Sequence, residues 1–300
     1  SKDIQDLDFA LQAGVDYIAI SFVKSADDIR KLRELVGQRT ERAVKIIAKV
    51  ERHEAISNID EIIEASDVVM IARGDLGVEI APERVPYWQK EIIARALEKS
   101  RTVITATQML ESMIERPTPT RAEASDVANA IYDGSDAIML SGETAVGKYP
   151  VEAVSTMNRI ARTVESMLKR QAPMKYPAQR TVTSAISTAA CELSDSLNAR
   201  ALVTPTSSGT TAQIVSKHRP HAPILAVTSK RDVVNQLAMM WGVEPILVQP
   251  ARTTDDMFEK AVSIAVDRGL AKPGDEIVIT AGVHVNVPGT TNLIKVHRVE

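Results

Sequence analysis

The sequence predicts an α/β protein in two domains: a parallel sheet covered by helices, then a second, separate α/β sheet. Three observations carry this. Short apolar runs rich in Val and Ile alternate with amphipathic segments, the pattern of parallel strands buried on both faces. Each run in the first half stops on polar or charged residues, namely Ser21, Lys49 and Glu51, Arg73 and Asp75, Thr107 and Gln108, Ser141 and Glu143. Finally, RQAPMKYPAQRT, with two prolines and mixed charge, interrupts the alternation and reads as a linker at 171–180.

Taken in order, the chain opens on SKDIQDLDFALQAG, a helix capped by Ser1 or Asp3 and stopped by Gly14. Strands are expected at VDYIAISFV, AVKIIAKV, DVVMIAR, TVITAT and DAIMLS, starting at residues 15, 43, 67, 102 and 136. Helical patterns over 26–36, 56–65, 82–99 and 121–132 separate them, and a long helix over 149–169 runs into the linker. Beyond it come a helix at 184–197, strand ALVTP, a helix at 211–218, strand ILAVT, a helix at 232–241, strand EPILVQ, a helix at 254–268, and strands EIVITAG and NLIKVHRV. The expected domains are therefore 1–170 and 181–300, joined by 171–180.

A formal net charge of −3 offers no broad basic field for nucleic acid or an anionic membrane. No apolar run approaches the roughly 20 residues that span a bilayer, and no signal-peptide pattern opens the chain. We expect a soluble, cytoplasmic protein whose partners are small ligands, with neither nucleic acid nor membrane among them. The single cysteine, Cys191, sits in STAACELS and reads as a buried helix residue. The five histidines show no metal-ligand spacing. An opening on a helix without a methionine leads us to expect a segment upstream of Ser1.

In open α/β sheets and in (β/α)8 barrels alike, ligands bind at the carboxyl ends of the strands, where the charges of the first half are concentrated. Lys49 and Glu51 are two apart on a strand, so both point to one face. Asp75 follows the next strand and can reach the same cavity. Two carboxylates from neighbouring strand ends suit Mg²⁺, which takes oxygen ligands and keeps positions open for water and phosphate. A lysine beside them can neutralise a transferring phosphoryl group or an enolate. The alternative is a structural ion pair between Lys49 and Glu51 with GDLG as a plain turn. The glycines of ARGDLG would also let backbone N–H groups approach a small anion. Thr120 and Glu123 form a capping box.

Three long stretches, KIIAKVERHEAISNIDEIIEASDVVMIARGDLGVEI, VITATQMLESMIERPTPTRAEASDVANAIYDGSDAIMLSGETA and TSSGTTAQIVSKHRPHAPILAVT, occur in this order, and with them essentially the whole chain resembles pyruvate kinase. The resemblance implies a partial TIM (β/α)8 barrel, five of its eight strands, followed by the separate α/β domain. It implies phosphoryl transfer from phosphoenolpyruvate to ADP, giving pyruvate and ATP, with Mg²⁺ or Mn²⁺ and in many members K⁺. Lys49 then matches the catalytic lysine, and Glu51 and Asp75 match the divalent-metal ligands. The backbone of Ala72, Arg73, Gly74 and Asp75 matches the segment that holds the substrate carboxylate. Thr107 matches the threonine at the face where the enolate is protonated. Thr206, Ser207, Ser208, Gly209, Thr210 and Thr211 resemble the phosphate loop for a phosphorylated metabolite effector, although Ser207 and Thr210 stand where some members carry cationic residues. Val146 likewise replaces a lysine of some members. By the same resemblance, the full-length protein is a homotetramer, with Arg121 and its helix at an interface.

The family's first three barrel strands and lid domain are expected upstream of Ser1, so the chain by itself is expected to show little or no activity and two open sheet edges. Two other functions fit parts of the pattern: a non-catalytic effector-binding or assembly module, in which only the region after the linker binds a phosphorylated metabolite, and a Mg²⁺-dependent barrel lyase acting on a pyruvate enolate. The ATQMLESM to PTRAE stretch argues against the lyase.

Overall fold

The structure, a computed structural model, describes residues 2–167, 181–282 and 291–300. The chain forms two compact units, 1–169 and 170–300. The expected linker, 171–180, lies outside the described residues.

The first unit is a series of βα steps. Helix α1 (Lys2–Gln12) precedes β1 (Tyr17–Ile20), α2 (Ala26–Gly37), β2 (Lys45–Val50), α3 (His53–Ser57), α4 (Ile59–Ala65), β3 (Val68–Ala72) and α5 (Arg73–Glu79). Then come α6 (Val85–Glu98), β4 (Thr102–Ala106), α7 (Arg121–Tyr132), β5 (Ala137–Met139), α8 (Gly142–Ala145) and α9 (Pro150–Met167). The five strands pair in sequence order, all parallel, with Ile20 opposite Ala48, Val50 opposite Ile71 and Ala72 opposite Ala106. That is the neighbour order of consecutive barrel units. Every residue of β3 and β4 is buried, which their unbroken apolar character requires.

The amino ends of the strands are tied by aspartates. Asp67 Oδ2 accepts from Ile46 N at 2.9 Å, and Asp136 Oδ2 accepts from Val103 N at 2.9 Å, each closing the first rung between neighbouring strands. Asp67 is also paired with Arg33 at 3.0 Å and Lys45 at 3.4 Å. Burial pushes its carboxyl upward, but the Ile46 N–H and the two cations outweigh that and hold it below its ordinary value. These ties leave the opposite, carboxyl ends of the strands for the loops.

Three expectations need correction. Asp3 does not cap α1; the helix already starts at Lys2, so Asp3 lies in its first turn, where its charge suits the helix dipole. Ser1 lies outside the described residues. Gly14 does stop the helix, at φ 78°. The helix expected at 56–65 breaks at Asn58, whose side chain donates to Lys24 O at 2.9 Å. ARGDLG is not a plain turn: Arg73–Glu79 is helical despite two glycines, because fully buried Leu76 and the anchored Arg73 fix both its turns.

The second unit runs α10 (Val182–Leu197), β6 (Leu202–Pro205), α11 (Thr210–Lys217), β7 (Ile224–Thr228), α12 (Arg231–Leu237), β8 (Val243–Leu247), α13 (Thr254–Asp267), β9 (Glu276–Gly282) and β10 (Thr291–Arg298). Its five strands lie in the order β10-β9-β6-β7-β8, parallel except for the antiparallel β10. Alternation along the strands divides the core between the two faces. Val203, Leu225, Ile277 and Ile279 pack with Met257, Phe258 and Ala261 of α13, whereas Leu202, Ile224 and Val278 pack with Ala190 and Cys191 of α10 and Val215 of α11. Cys191 is buried as expected, and burial pushes its thiol upward, away from the reactive thiolate. The chain leaves β6 toward β7 and β8, then crosses back to β9 on the other side of β6. The order therefore reverses between β6 and β9, at the place where open α/β sheets bind ligands.

Candidate active site

The predicted residues fall into two groups at the carboxyl ends of the strands. At β1 and β2, Lys49 Nζ donates to Ser21 Oγ at 3.0 Å and pairs with Glu51 Oε1 at 2.5 Å. The other carboxylate oxygen of Glu51 accepts from Phe22 N at 2.7 Å, and Phe22 holds a left-handed backbone at φ 56° to make that contact. Glu51 is only 1% exposed, with one oxygen paired with the ammonium and the other holding an amide hydrogen bond, while the lysine keeps a quarter of its side chain open. The ion pair weighed in the sequence is therefore present. It also leaves the ammonium group partly open beside a buried carboxylate.

The second group knits β3 to β4. Thr107 and Gln108, directly after β4, are both left-handed, at φ 67° and 55°. For a β-branched residue this is a strained state costing on the order of 1–3 kcal/mol, and it aims the Thr107 hydroxyl back at β3. Thr107 Oγ1 donates to Ala106 O at 2.6 Å and accepts from Gly74 N at 2.8 Å. Thus one amide of the segment Ala72 to Asp75 is already engaged, by the threonine expected beside the same substrate. Helix α5 begins here, and its first-turn N–H groups lack partners within the helix. Asp75 is exposed on that turn, whereas Ala72 is buried.

Arg73 differs most from a substrate-facing residue. Its guanidinium is buried and donates to Thr107 O at 2.8 Å, Gln108 O at 3.3 Å and Gln89 Oε1 at 3.3 Å, and it pairs with Asp126 of α7 at 2.7 Å. Its side chain holds the strained loop in place, so only its backbone can take the part expected of 72–75. At β5, buried Glu143 accepts from Leu110 N at 3.0 Å and Ser141 N at 2.8 Å, fastening the loops after β4 and β5. Ser21, Phe22, Gln89, Asp126 and Glu143 were given no role from sequence. Ser21 and Glu143 had a signal, as polar residues ending apolar runs; Gln89 and Asp126 had none, because they meet Arg73 only through the fold.

In the second unit, Thr206 to Thr211 spans the end of β6 and the start of α11, at the β6 side of the order reversal. Gly209 N donates to Thr206 Oγ1 at 2.9 Å, and Gly209, at φ 84°, turns the chain into the helix. A Cβ there would sit 3.2 Å from Leu237. Thr211 is buried, with its hydroxyl 2.7 Å from that of Thr291. Ser208 and Thr210 are exposed, their hydroxyls 3.0 Å apart, and Ser207 is half-buried.

Comparison with known proteins identifies the family. Residues 1–154 match the family model "Pyruvate kinase, barrel domain", and residues 184–297 match "Pyruvate kinase, alpha/beta domain". The chain belongs to the pyruvate kinase family. It is 51% identical over 299 residues to a pyruvate kinase of Geobacillus stearothermophilus, covering 99% of this chain and 51% of that protein. It is 45% identical to one of Clostridium acetobutylicum, covering 100% of this chain and 64% of that protein. A crystal structure of a pyruvate kinase from Cryptosporidium parvum superposes with a TM-score of 0.93 at 37% identity, over 100% of this chain and 62% of that one. The chain thus spans about half the length of several of the pyruvate kinases it matches. Among its described residues, no helix is long and apolar enough to cross a membrane.

Proposed function

We propose that this chain carries the phosphoryl-transfer centre of a pyruvate kinase, acting on phosphoenolpyruvate and ADP to give pyruvate and ATP. The observation that carries the reading is Lys49 Nζ, held between Ser21 and Glu51 at the strand ends and still partly open. Phosphoryl transfer needs little covalent help from a protein; it needs charge neutralisation and positioning. A fixed ammonium supplies the first to the moving phosphoryl group and to the enolate oxygen it leaves. Glu51 and Asp75, on neighbouring strand ends, offer oxygen donors of the kind Mg²⁺ or Mn²⁺ takes, and a bound dication would add charge neutralisation at the phosphate. The first-turn amides of α5 favour an anion such as the substrate carboxylate, and the Thr107 hydroxyl, now bound to Gly74 N, would be released to face the substrate.

The exposed hydroxyls of Ser208 and Thr210 at the order reversal support a phosphorylated-metabolite effector site in the second unit. Homotetramer assembly, K⁺ dependence and a cytoplasmic location follow the family reading. The test is a coupled assay of pyruvate formation from phosphoenolpyruvate, ADP, Mg²⁺ and K⁺, on the chain by itself and mixed with the half of the Geobacillus relative that it does not match. Activity lost in Lys49→Met supports the proposal. No turnover in a mixture shown to be folded and associated would favour the effector-binding module instead.

A further inference from the structure

Just beyond β2, three side chains with no part in the proposed chemistry converge from two helices. His53 and Glu54 open α3, and Glu79 closes α5. His53 Nδ1 lies 3.1 Å from Glu54 Oε2 and 3.6 Å from Glu79 Oε2, and one ligand atom from each residue lies within 4.8 Å of the others. Among the described residues, no other three His, Cys, Asp or Glu side chains are so placed. In a tetrahedral zinc site with bonds of about 2.0–2.1 Å, donor atoms stand roughly 3.3 Å apart. The two histidine distances bracket that value, and the two carboxylates lie within 4.8 Å of each other.

We propose that His53, Glu54 and Glu79 form a binding site for a first-row transition-metal dication such as Zn²⁺, separate from the oxygen-donor pair Glu51 and Asp75. The donor set makes the distinction. An imidazole nitrogen with two carboxylates suits Zn²⁺, Co²⁺ or Ni²⁺, whereas Mg²⁺ takes oxygen ligands. Three protein ligands leave a fourth position for water. The Arg52 guanidinium, 3.2 Å from Glu54 and 3.9 Å from Glu79, balances the two carboxylates in the metal-free chain and is the cation that a metal displaces. Because Asp75 and Glu79 share α5, and Glu51 and His53 are two residues apart, an ion here fastens the helix carrying Asp75 to the segment carrying Glu51.

The experiment is equilibrium dialysis of Zn²⁺ in excess Mg²⁺ on the wild-type chain and on His53→Ala, Glu79→Gln, Asp75→Asn and His221→Ala, with circular dichroism to verify the fold. His221 is included because its ring, 2.8 Å from Asp195, is another imidazole and carboxylate pair that could capture Zn²⁺. The expected result is one Zn²⁺ per chain, bound at least tenfold more weakly in His53→Ala and Glu79→Gln and equally well in the other two. Absence of saturable binding overturns the proposal. So does binding unchanged in His53→Ala and Glu79→Gln, or weakened only in Asp75→Asn or His221→Ala.

Discussion

Lys49 and Asp67 show how a single charge serves opposite ends of one sheet. Lys49 sits at the carboxyl end, next to a carboxylate that is almost wholly buried. Lys49→Met should lower kcat in the complemented assay by about 10²-fold or more, the scale of losing one electrostatic group at a transition state. It should also destabilise the fold measurably in urea, because Glu51 loses its counter-charge while remaining buried. Asp67 sits at the amino end, where its lowered carboxyl is a stability device. A group that ionises more readily when folded contributes fully above its unfolded value, and that contribution is lost as pH falls through the lower folded value. Asp67→Asn should therefore flatten the acid side of the stability profile and cost about 1–3 kcal/mol at neutral pH, read from urea melts across the acid range. The position of Lys49 and Glu51 at the carboxyl end of a strand was legible in the sequence because they end an apolar run. The contacts of Lys49 with Ser21 and of Glu51 with Phe22 N were not, because they join residues 28 and 29 positions apart.

At the scale of elements, helix α7 is positioned by its cap, and one arginine joins α5 to α7. The Thr120 and Glu123 capping box forms as its spacing predicts, with Thr120 N donating to Glu123 Oε2 at 2.7 Å and Glu123 N donating to Thr120 Oγ1 at 3.2 Å. Glu123 also accepts from Ser112 N at 2.7 Å, so the cap ties down the loop after β4 as well. Thr120→Ala should cost about 1 kcal/mol in chemical denaturation, and Glu123→Ala more, because two loops then lose their acceptor. Arg73→Met removes the donor that holds the carbonyls of Thr107 and Gln108 and leaves Asp126 without its main partner. The expected loss is about 2–3 kcal/mol, moderated because Asp126 is partly exposed. Release of the left-handed pair should also lower kcat in the complemented assay more than it raises KM. Capping was readable because it is local. The helical state of α5 was hidden by its two glycines and became favourable only through Leu76 and Arg73, which need the neighbouring strands.

For the whole molecule, each unit has its own sheet and its own core. A phosphorylated ligand that binds only the folded second unit should raise the unfolding temperature of that unit in calorimetry, by an amount that grows with ligand concentration. Gly209→Val should abolish the shift, since a side chain there meets Leu237 and disfavours the φ of 84°. By itself the sequence determined the five parallel βα steps, the second α/β sheet and the concentration of charge at strand ends. Those properties follow from hydrophobic period and from where apolar runs stop, and both are local. Only the tertiary structure decided that Arg73 turns inward to hold the strained Thr107 loop, that Glu51 is engaged on both oxygens, and that the Thr206 to Thr211 loop stands where strand order reverses. Each depends on which strands become neighbours, and strand order arises from packing between segments far apart in the chain.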